Sequence, residues 1–209
     1  MSTQLQTGSF GARLEHLVSV ISGERFLKME GYNEVPFFIC PHHPKESIQM
    51  ERLQRQLINR LETAGIQLLE INLYDLCVEL LKADDDFDFY VEEEPYLTKA
   101  KSLEDLQSIL DVESVIIPRI ADRLSESNYQ VLILTGVGEV FPYLRSHNIL
   151  NNLQKAAKTH PTLTFFPGSY THTLEHGASL DLFAANGTSR LADDSDKYYR
   201  AYNIYEFEA

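Results

Sequence analysis

The chain contains only two cysteines and no long apolar run. Cys40 and Cys77 lie in apolar stretches and do not form a C-x-x-C pair, so we expect two buried thiols in a reducing compartment. No segment approaches the roughly 18 apolar residues of a membrane-spanning helix, and no apolar signal segment is visible near the N-terminus. We therefore expect a cytoplasmic protein without a membrane partner.

Basic residues are few compared with acidic ones. The chain has 18 Lys and Arg against 31 Asp and Glu, which gives a formal net charge of −13. Such a charge opposes a general affinity for nucleic-acid phosphates, so we expect no direct binding of duplex DNA by the isolated chain. Arg52, Arg55 and Arg60 could form a local basic patch, but the solvated face of a helix is the simpler interpretation.

The usual phosphate-binding motifs are also absent. No stretch matches G-x-x-x-x-G-K-[ST], and the turn Thr135-Gly136-Val137-Gly138-Glu139 meets only half of the dinucleotide pattern G-x-G-x-x-G. Phe141 stands where the third glycine would allow a helix to pack closely on its strand. We therefore expect no nucleotide or other cofactor, and interpret this turn as a packing or partner-contact element. Its two glycines still allow positive φ and close backbone approach.

Helical and strand periodicities alternate along the chain. An amphipathic helix is predicted at about 9–22, and apolar positions four apart at Leu53, Leu57 and Leu61 predict another that ends at Gly65. The pattern predicts a single α/β domain over 1–209, a three-layer sandwich with a mainly parallel sheet that resembles a P-loop-type fold without the phosphate loop. The predicted strands are 35–40, 66–72, 131–135 and 163–166, and a long helix is expected soon after the glycine turn.

An acidic insertion interrupts this pattern at about 84–94. Asp84, Asp86 and Asp88 have the spacing that opens a calcium loop, but Phe89 replaces the required glycine and Pro95 the bidentate glutamate. Carboxylates this dense repel one another, so we expect a mobile, solvated loop. Its interleaved aromatic residues leave open a second role, ordering on a basic and apolar partner surface.

The segment from His172 to His176 formally matches the inverted zinc-protease signature H-x-x-E-H. That chemistry needs both histidines on one face of a helix, yet Gly168 and Gly177 leave room for barely two turns. His147 or Asp181 could supply a third ligand, so the alternative stays open. The expectation is that the chain holds no metal.

Polar residues follow each predicted strand, at the edge where parallel α/β sheets bind ligands. Candidate ligand-site residues are His42, Asp75, Thr135, Gly136, Gly138 and Glu139. Alternatively, Asp75 caps a helix and Glu139 interacts with a helix dipole. No nucleophile elbow, glycosidase pair or Ser-His-Asp order can be assigned, so we expect no catalytic residue and no enzyme.

Aromatic and proline residues also follow two of the strands. If a monomer exposes them on one edge of the sheet, they are candidates for partner binding, because such anchors often carry the binding energy. Alternatively, Phe141 and Phe166 fill the core. The partner-binding candidates are Phe141, Pro142, Tyr143, Pro167 and Tyr170.

Six segments spread over nearly the whole chain carry a family resemblance: ERFLKMEGYNEVPFFI (24–39), LLEINLYDL (68–76), LTGVGEVFPYLRSHNILNNLQ (134–154), FFPGSYT (165–171), GASLDLF (177–183) and DKYYRAYNIY (196–205). They resemble the BrxB family of bacterial BREX, or bacteriophage-exclusion, systems. The resemblance implies a small cytoplasmic defence component that accompanies a methyltransferase, a large ATPase and the alkaline-phosphatase-like PglZ.

The resemblance supplies no catalytic residue. It implies a non-enzymatic accessory or scaffold protein that contacts other BREX components, the PglZ-like protein first among them. The alternative is a divergent nucleotide-binding or metal-dependent hydrolase that uses the residues at the strand ends.

Overall fold

The computed structural model describes residues 8–29, 37–83, 86–173, 177–183 and 201–207. A six-stranded sheet runs through them, in the order β2-β3-β4-β1-β6, with β5 paired to β4. All neighbours along that order are parallel, and β4 with β5 is antiparallel. The strands are β1 (Phe37–His42), β2 (Leu68–Asn72), β3 (Val131–Thr135), β4 (Thr162–Thr173), β5 (Gly177–Leu182) and β6 (Ala201–Asn203).

Helices connect the strands. The α-helices are α1 (Phe10–Ile21), α2 (Glu24–Leu27), α3 (Ser47–Thr63), α4 (Leu73–Ala83), α5 (Asp86–Glu93), α6 (Lys99–Ile109), α7 (Ile117–Glu126) and α8 (Ser146–Ala156). Short 3-10 helices cover Pro44–Glu46, Glu94–Tyr96 and Ile204–Glu206, and a π-helical turn, Val112–Ile116, leads into α7. In the described part of the chain, no helix is both long and apolar enough to cross a membrane.

Two apolar cores, one on each face of the sheet, confirm the predicted three-layer α/β sandwich. One core packs α1, α2 and α3 against the sheet, and the other packs α4, α7 and α8 against it. Alternate residues of β1 divide between them, since Phe38 and Cys40 face the first core while Phe37 and Ile39 face the second. Cys40 and Cys77 are free and buried, as predicted.

The predicted helices before and after β1 are confirmed. In α1 the hydroxyl of Ser9 accepts the backbone N–H of Ala12, which satisfies one of the free donors at the helix start. The apolar face of α3 is buried, and Gly65 follows the helix with φ of +85°, the left-handed conformation typical of a glycine after a helix.

Two strands extend beyond their predicted ends. β1 continues through Pro41, where it is paired with β4 but not with β6, so the N–H that proline lacks has no second neighbour to bond. β4 continues to Thr173 because β5 pairs with its second half, from Gly168 opposite Leu182 to Thr173 opposite Gly177. His172 therefore lies in a strand, where the helical H-x-x-E-H geometry is not formed, and 174–176 lie outside the described residues.

The expectation of a mobile loop in the acidic insertion is wrong for its described part. Residues 86–93 form α5, with Phe87 and Tyr90 three residues apart and packed against the core. The ammonium of Lys82 lies 5.0 Å from the centre of the Phe87 ring. Burial of Phe87 and Tyr90 stabilises the helix while Asp88, Glu92 and Glu93 stay exposed to water, which the charge pattern alone did not predict.

The helix expected soon after the glycine turn begins later than predicted. A run of turns separates Gly136 from α8, which starts at Ser146. Pro142 has no N–H to donate and disfavours helical backbone at the residue before it. The glycine turn therefore does not lie at a helix N-terminus, where free N–H groups would attract an anion.

Candidate functional site

A cavity of about 670 Å³ opens at the carboxyl ends of the parallel strands. Its walls come from the end of β1, the first turns of α3, the ends of β2 and β3, the glycine turn, and the β4–β5 pair. All six ligand-site candidates line it, namely His42, Asp75, Thr135, Gly136, Gly138 and Glu139. The parallel topology thus brings together residues that are up to 97 positions apart along the chain.

Asn72, which the sequence analysis did not single out, organises one side of the cavity. Its Oδ1 accepts the backbone N–H groups of Tyr74 at 2.9 Å and Asp75 at 3.2 Å. Asn72 therefore caps α4, the role considered for Asp75, and the Asp75 side chain stays free to line the cavity. Gly136, with φ of +74°, passes so close to Asn72 that a Cβ would overlap its amide.

Gly138 makes the other close approach. A Cβ at this position would lie 2.7 Å from Cγ of Pro167 and 3.2 Å from the ring of Phe183. The backbone N–H of Phe183 donates to the carbonyl of Pro167 at 2.9 Å, which fixes the end of β5 beside the turn. Gly138 is therefore required for close packing between the turn and the β4–β5 pair.

The floor of the cavity contains two buried polar side chains, each with a polar atom that has no hydrogen-bond partner among the described residues. His42 is 4% exposed and Thr135 is 2% exposed. Within the described ranges, neither Nδ1 of His42 nor Oγ1 of Thr135 has a hydrogen-bond partner. Burial lowers the pKa of His42 to about 4, so its imidazole is neutral at pH 7.

Four carboxylates form the rim, namely Glu51, Glu70, Asp75 and Glu139. Partial desolvation raises the pKa of Glu139, and repulsion from Glu51 and Asp75 adds to the shift. Partial desolvation likewise raises the pKa of Glu70, with Asp75 again adding to it. The hydroxyl of Thr135 opposes the Glu70 shift through a contact that does not meet hydrogen-bond geometry. The negative charges of these carboxylates therefore repel one another across the opening.

Glu51, Gln54, Arg55 and Glu70 also line the cavity and were missed as site residues. The sequence does carry a signal for those on α3. This helix begins directly after β1, so its first turns lie at the same edge of the sheet, and Ser47, Glu51 and Arg55 recur every four residues on one face. Arg52, Arg55 and Arg60 are all exposed on α3, which agrees with their interpretation as a solvated face, although Arg60 forms a surface ion pair with Glu15 and Arg55 also lines the cavity.

The partner-binding candidates divide into two sets. Phe141 is 45% exposed, Pro142 is exposed and Tyr143 is half-buried. Pro167 is buried in the cavity wall, and Tyr170 is 8% exposed with its hydroxyl donating to the carbonyl of Ala201 at 2.5 Å. Pro167 and Tyr170 therefore do not offer the exposed surface expected of them, because Tyr170 packs into the apolar core with Leu180 and Pro167 packs beside Gly138.

An exposed aromatic residue outside the candidate set completes this surface. Phe183 is 39% exposed, and its ring packs edge-on against that of Phe141 with centroids 6.0 Å apart and planes at 81°. The two rings stand at the mouth of the cavity, since Phe183 also lines it. In the described part of the chain, no three side chains are grouped as a metal site requires.

Comparison with known proteins gives a consistent picture. A family model described as "BREX protein BrxB" matches residues 69–204. A "BREX protein BrxB" of Bacillus cereus (strain H3081.97) is 30% identical over 209 residues, covering 93% of this chain and 96% of that protein. One of Escherichia coli O9:H4 (strain HS) is 26% identical over 193 residues, covering 92% and 90%. No solved structure gives a significant match. The matched region includes the cavity residues of β2, β3 and the glycine turn.

Proposed function

The chain belongs to the BrxB family of BREX proteins, and from this premise we propose that it acts as a non-enzymatic accessory or scaffold component of a phage-defence system. It works through contacts with other BREX components. The PglZ-like protein is the partner that we propose first. A role in BREX defence follows from the family, and the mode of action is the proposal.

The observation that carries this proposal is an apolar surface around the mouth of the cavity. Eight large apolar side chains are exposed among the described residues, and four of them lie in the segments that follow β1, β2, β3 and β5. We call these four the edge patch: Ile48, Tyr74, Phe141 and Phe183. Exposed apolar groups that lie close together are typical of protein contact surfaces, and the rings of Phe141 and Phe183 are in direct contact.

The composition of the edge patch suits a protein partner. Aromatic side chains bury a large area and are enriched among the residues that dominate binding energies. Two carboxylates of the cavity rim are close in sequence to these apolar groups, since Glu51 is on the same helix as Ile48 and Asp75 follows Tyr74 directly. A partner with a basic, apolar face therefore matches this surface in both charge and hydrophobicity.

A second candidate function is supported by the cavity itself. Its volume suits a small molecule, and polar side chains from several strands converge in it, as in many binding sites of parallel α/β proteins. The second candidate is therefore a divergent nucleotide-binding protein or metal-dependent hydrolase. The four rim carboxylates disfavour phosphate ligands, and no metal-site cluster is formed by the described residues. For these reasons we place it second.

Purification from cells that express the whole defence cluster tests the proposal. We expect a tagged chain to retain a second BREX protein through size-exclusion chromatography at micromolar concentration. If the PglZ-like protein elutes separately, that partner is wrong, and the ATPase or methyltransferase component is tested next. Recovery of the chain alone, together with turnover of a phosphoester by the isolated protein, would instead favour the hydrolase.

A further inference from the structure

The cavity has an excess of negatively charged side chains and few cationic side chains to balance them. Four carboxylates line it against one cationic side chain, Arg55, because His42 is neutral at pH 7. None of the four forms an ion pair within the described ranges, whereas Glu15, Glu46 and Glu79 elsewhere each pair with an arginine. Arg55 likewise has no ion pair among these residues, and it is exposed on the α3 side.

The cavity floor gives a second, independent observation. Oγ1 of Thr135 and Nδ1 of His42 are both buried and lack partners among the described residues. Buried polar atoms nearly always have a hydrogen-bond partner. Of the four buried side-chain polar atoms that lack one among the described residues, these two belong to side chains that line the cavity, which suggests a ligand there. A hydroxyl accepts hydrogen bonds, and a neutral imidazole offers one acceptor nitrogen. Both groups can therefore receive N–H donors.

We propose that the cavity binds a nitrogen cation, a guanidinium or ammonium group, whose N–H groups donate to the floor and whose charge is balanced by the carboxylate rim. This inference does not depend on the scaffold role. The family assignment gives no ligand for this cavity, and the proposal specifies the chemical class of ligand that would bind there.

The apolar part of the wall fits the carbon stem of such a ligand. Met50, Phe165 and Pro167 line the cavity beside the polar floor. Phe183 contributes an aromatic ring at the mouth, and a cation near such a ring gains a further electrostatic attraction. Arg13 lies behind His42 but is paired with Glu46 at 3.1 Å, so its charge is already balanced.

The titration behaviour of the rim agrees with this ligand. The pKa values of Glu70 and Glu139 are both raised, first by desolvation and then by neighbouring carboxylates. A bound cation would favour the ionised forms and lower both values. An anionic ligand such as a phosphate would raise them further and would meet one arginine against four carboxylates.

Calorimetric titration of the isolated full chain with agmatine and spermidine tests the proposal. Agmatine carries a guanidinium and an amine, and spermidine carries ammonium groups only. We expect saturable binding with a dissociation constant below about 1 mM, weakened several-fold by 0.5 M salt because the attraction is electrostatic. N-butylurea, a neutral N–H donor, is the control ligand and should bind at least about tenfold more weakly.

Matched variants locate the site. Glu139→Gln and Asp75→Asn remove one rim charge each without changing shape, and each should weaken agmatine binding by about threefold to tenfold. Thr135→Val removes the floor hydroxyl and should weaken it as well. Glu126→Gln removes an exposed charge at the end of α7 that does not line the cavity, and should leave binding unchanged. The melting temperature of each variant shows whether it is folded.

Two results would overturn the proposal: no saturable binding of either amine up to about 10 mM, or equal binding by wild type, Glu139→Gln and Asp75→Asn. The source of the cation is decided separately by adding agmatine to the assembled BREX complex. Displacement of the partner shows that a partner side chain fills the cavity, and binding without displacement shows that a free small molecule does. If no complex forms, the scaffold role fails while the calorimetry still decides this inference.

Discussion

The side chain of Asn72 occupies the space that a Cβ atom on Gly136 would need. Asn72 ends β2 and caps α4, while Gly136 begins the turn after β3, so this contact joins the two neighbouring turns at the edge of the cavity. Each residue explains the other: the amide must point toward the α4 backbone to cap it, and only a glycine leaves room for it there at φ of +74°.

We predict that Gly136→Ala and Asn72→Ala are coupled in stability. Asn72→Ala should cost about 1 kcal/mol through the lost cap. Positive φ alone costs a residue with a Cβ about 1–3 kcal/mol. Gly136→Ala should cost more than this, because steric overlap is added to the backbone strain. In the Asn72→Ala background the overlap with the amide is relieved and only the close approach to the Leu73 backbone nitrogen remains, so the second substitution should cost at least about 0.5 kcal/mol less than it does alone. Urea unfolding of the four proteins measures this.

Gly65→Ala is the matched control for that cycle. Gly65 also has positive φ, +85°, but nothing lies within 4 Å of the place its Cβ would take. Gly65→Ala should therefore report the cost of backbone strain alone. The loss of unfolding free energy that it causes should be the same with and without Asn72→Ala. Strict additivity of Gly136→Ala with Asn72→Ala would show that the contact with Asn72 does not constrain the turn.

We predict that His42 makes stability fall on acidification. Burial lowers its pKa to about 4 in the folded state, whereas an unfolded histidine titrates near pH 6.5. Between these two pH values the unfolded chain binds more protons than the folded chain. The free energy of unfolding therefore falls as the pH falls, by on the order of 3 kcal/mol from pH 6.5 to pH 4. Glu70 and Glu139 act in the opposite direction because their folded pKa values are raised.

Because these effects oppose each other, the histidine is best followed directly. An NMR titration of the His42 ring in the folded protein should give a midpoint near pH 4. His42→Asn should then remove most of the loss of stability between about pH 6.5 and 4.5 in urea unfolding. A ring midpoint above about pH 6 would show that the imidazole is solvated and does not form the cavity floor as described.

We predict that the isolated protein neither binds Mg·ATP with useful affinity nor hydrolyses it. The glycine turn is not followed by a helix N-terminus, and four carboxylates surround the cavity that a nucleotide would enter. Calorimetry at millimolar nucleotide concentration is the measurement. A dissociation constant below roughly 10 μM, about −7 kcal/mol, would show organised phosphate contacts and contradict the scaffold role.

The layered arrangement of helices and sheet could be predicted from the sequence more reliably than the residues at which individual helices and strands begin and end. The apolar strand at 131–135 was predicted at its observed bounds, because a fully buried parallel strand has a continuous apolar pattern. The extension of β4 through Gly168 was not predicted, since it depends on pairing with β5. The helix at 86–93 was missed because its dense carboxylates favour a solvated loop, whereas the packing of Phe87 and Tyr90 against the core depends on tertiary structure.

The cavity could be predicted in its location but not in its full composition. The rule that parallel strands gather their ends at one edge placed His42, Asp75 and Thr135 together. It gave no weight to residues inside elements, so Glu70 within β2 and Arg55 on α3 were missed. The exposure of single side chains was harder to predict, because Tyr170 is buried in the core beside Leu180 of β5, a strand that the sequence analysis did not predict.

The last prediction concerns the edge patch and uses two phenylalanines in similar settings. Phe141 is 45% exposed and packs edge-on against Phe183, while Phe89 on α5 is 57% exposed and packs edge-on against Tyr90. Both Phe→Ala substitutions should change the melting temperature little, since neither ring is buried. Only Phe141→Ala should weaken the complex with the BREX partner, by about 2 kcal/mol or roughly 30-fold if the ring is a binding anchor.

Pulldown and titration with the co-expressed partner measure the difference. Tyr170→Phe serves as a further control, because it removes only the buried hydroxyl bond to Ala201 and should lower stability by about 1 kcal/mol without affecting association. If Phe89→Ala weakens the complex as much as Phe141→Ala does, the contact is not specific to the edge patch. If neither substitution weakens the complex, the edge patch is not the contact surface. Phe89 on the acidic helix Asp86–Glu93 is then not a binding anchor either.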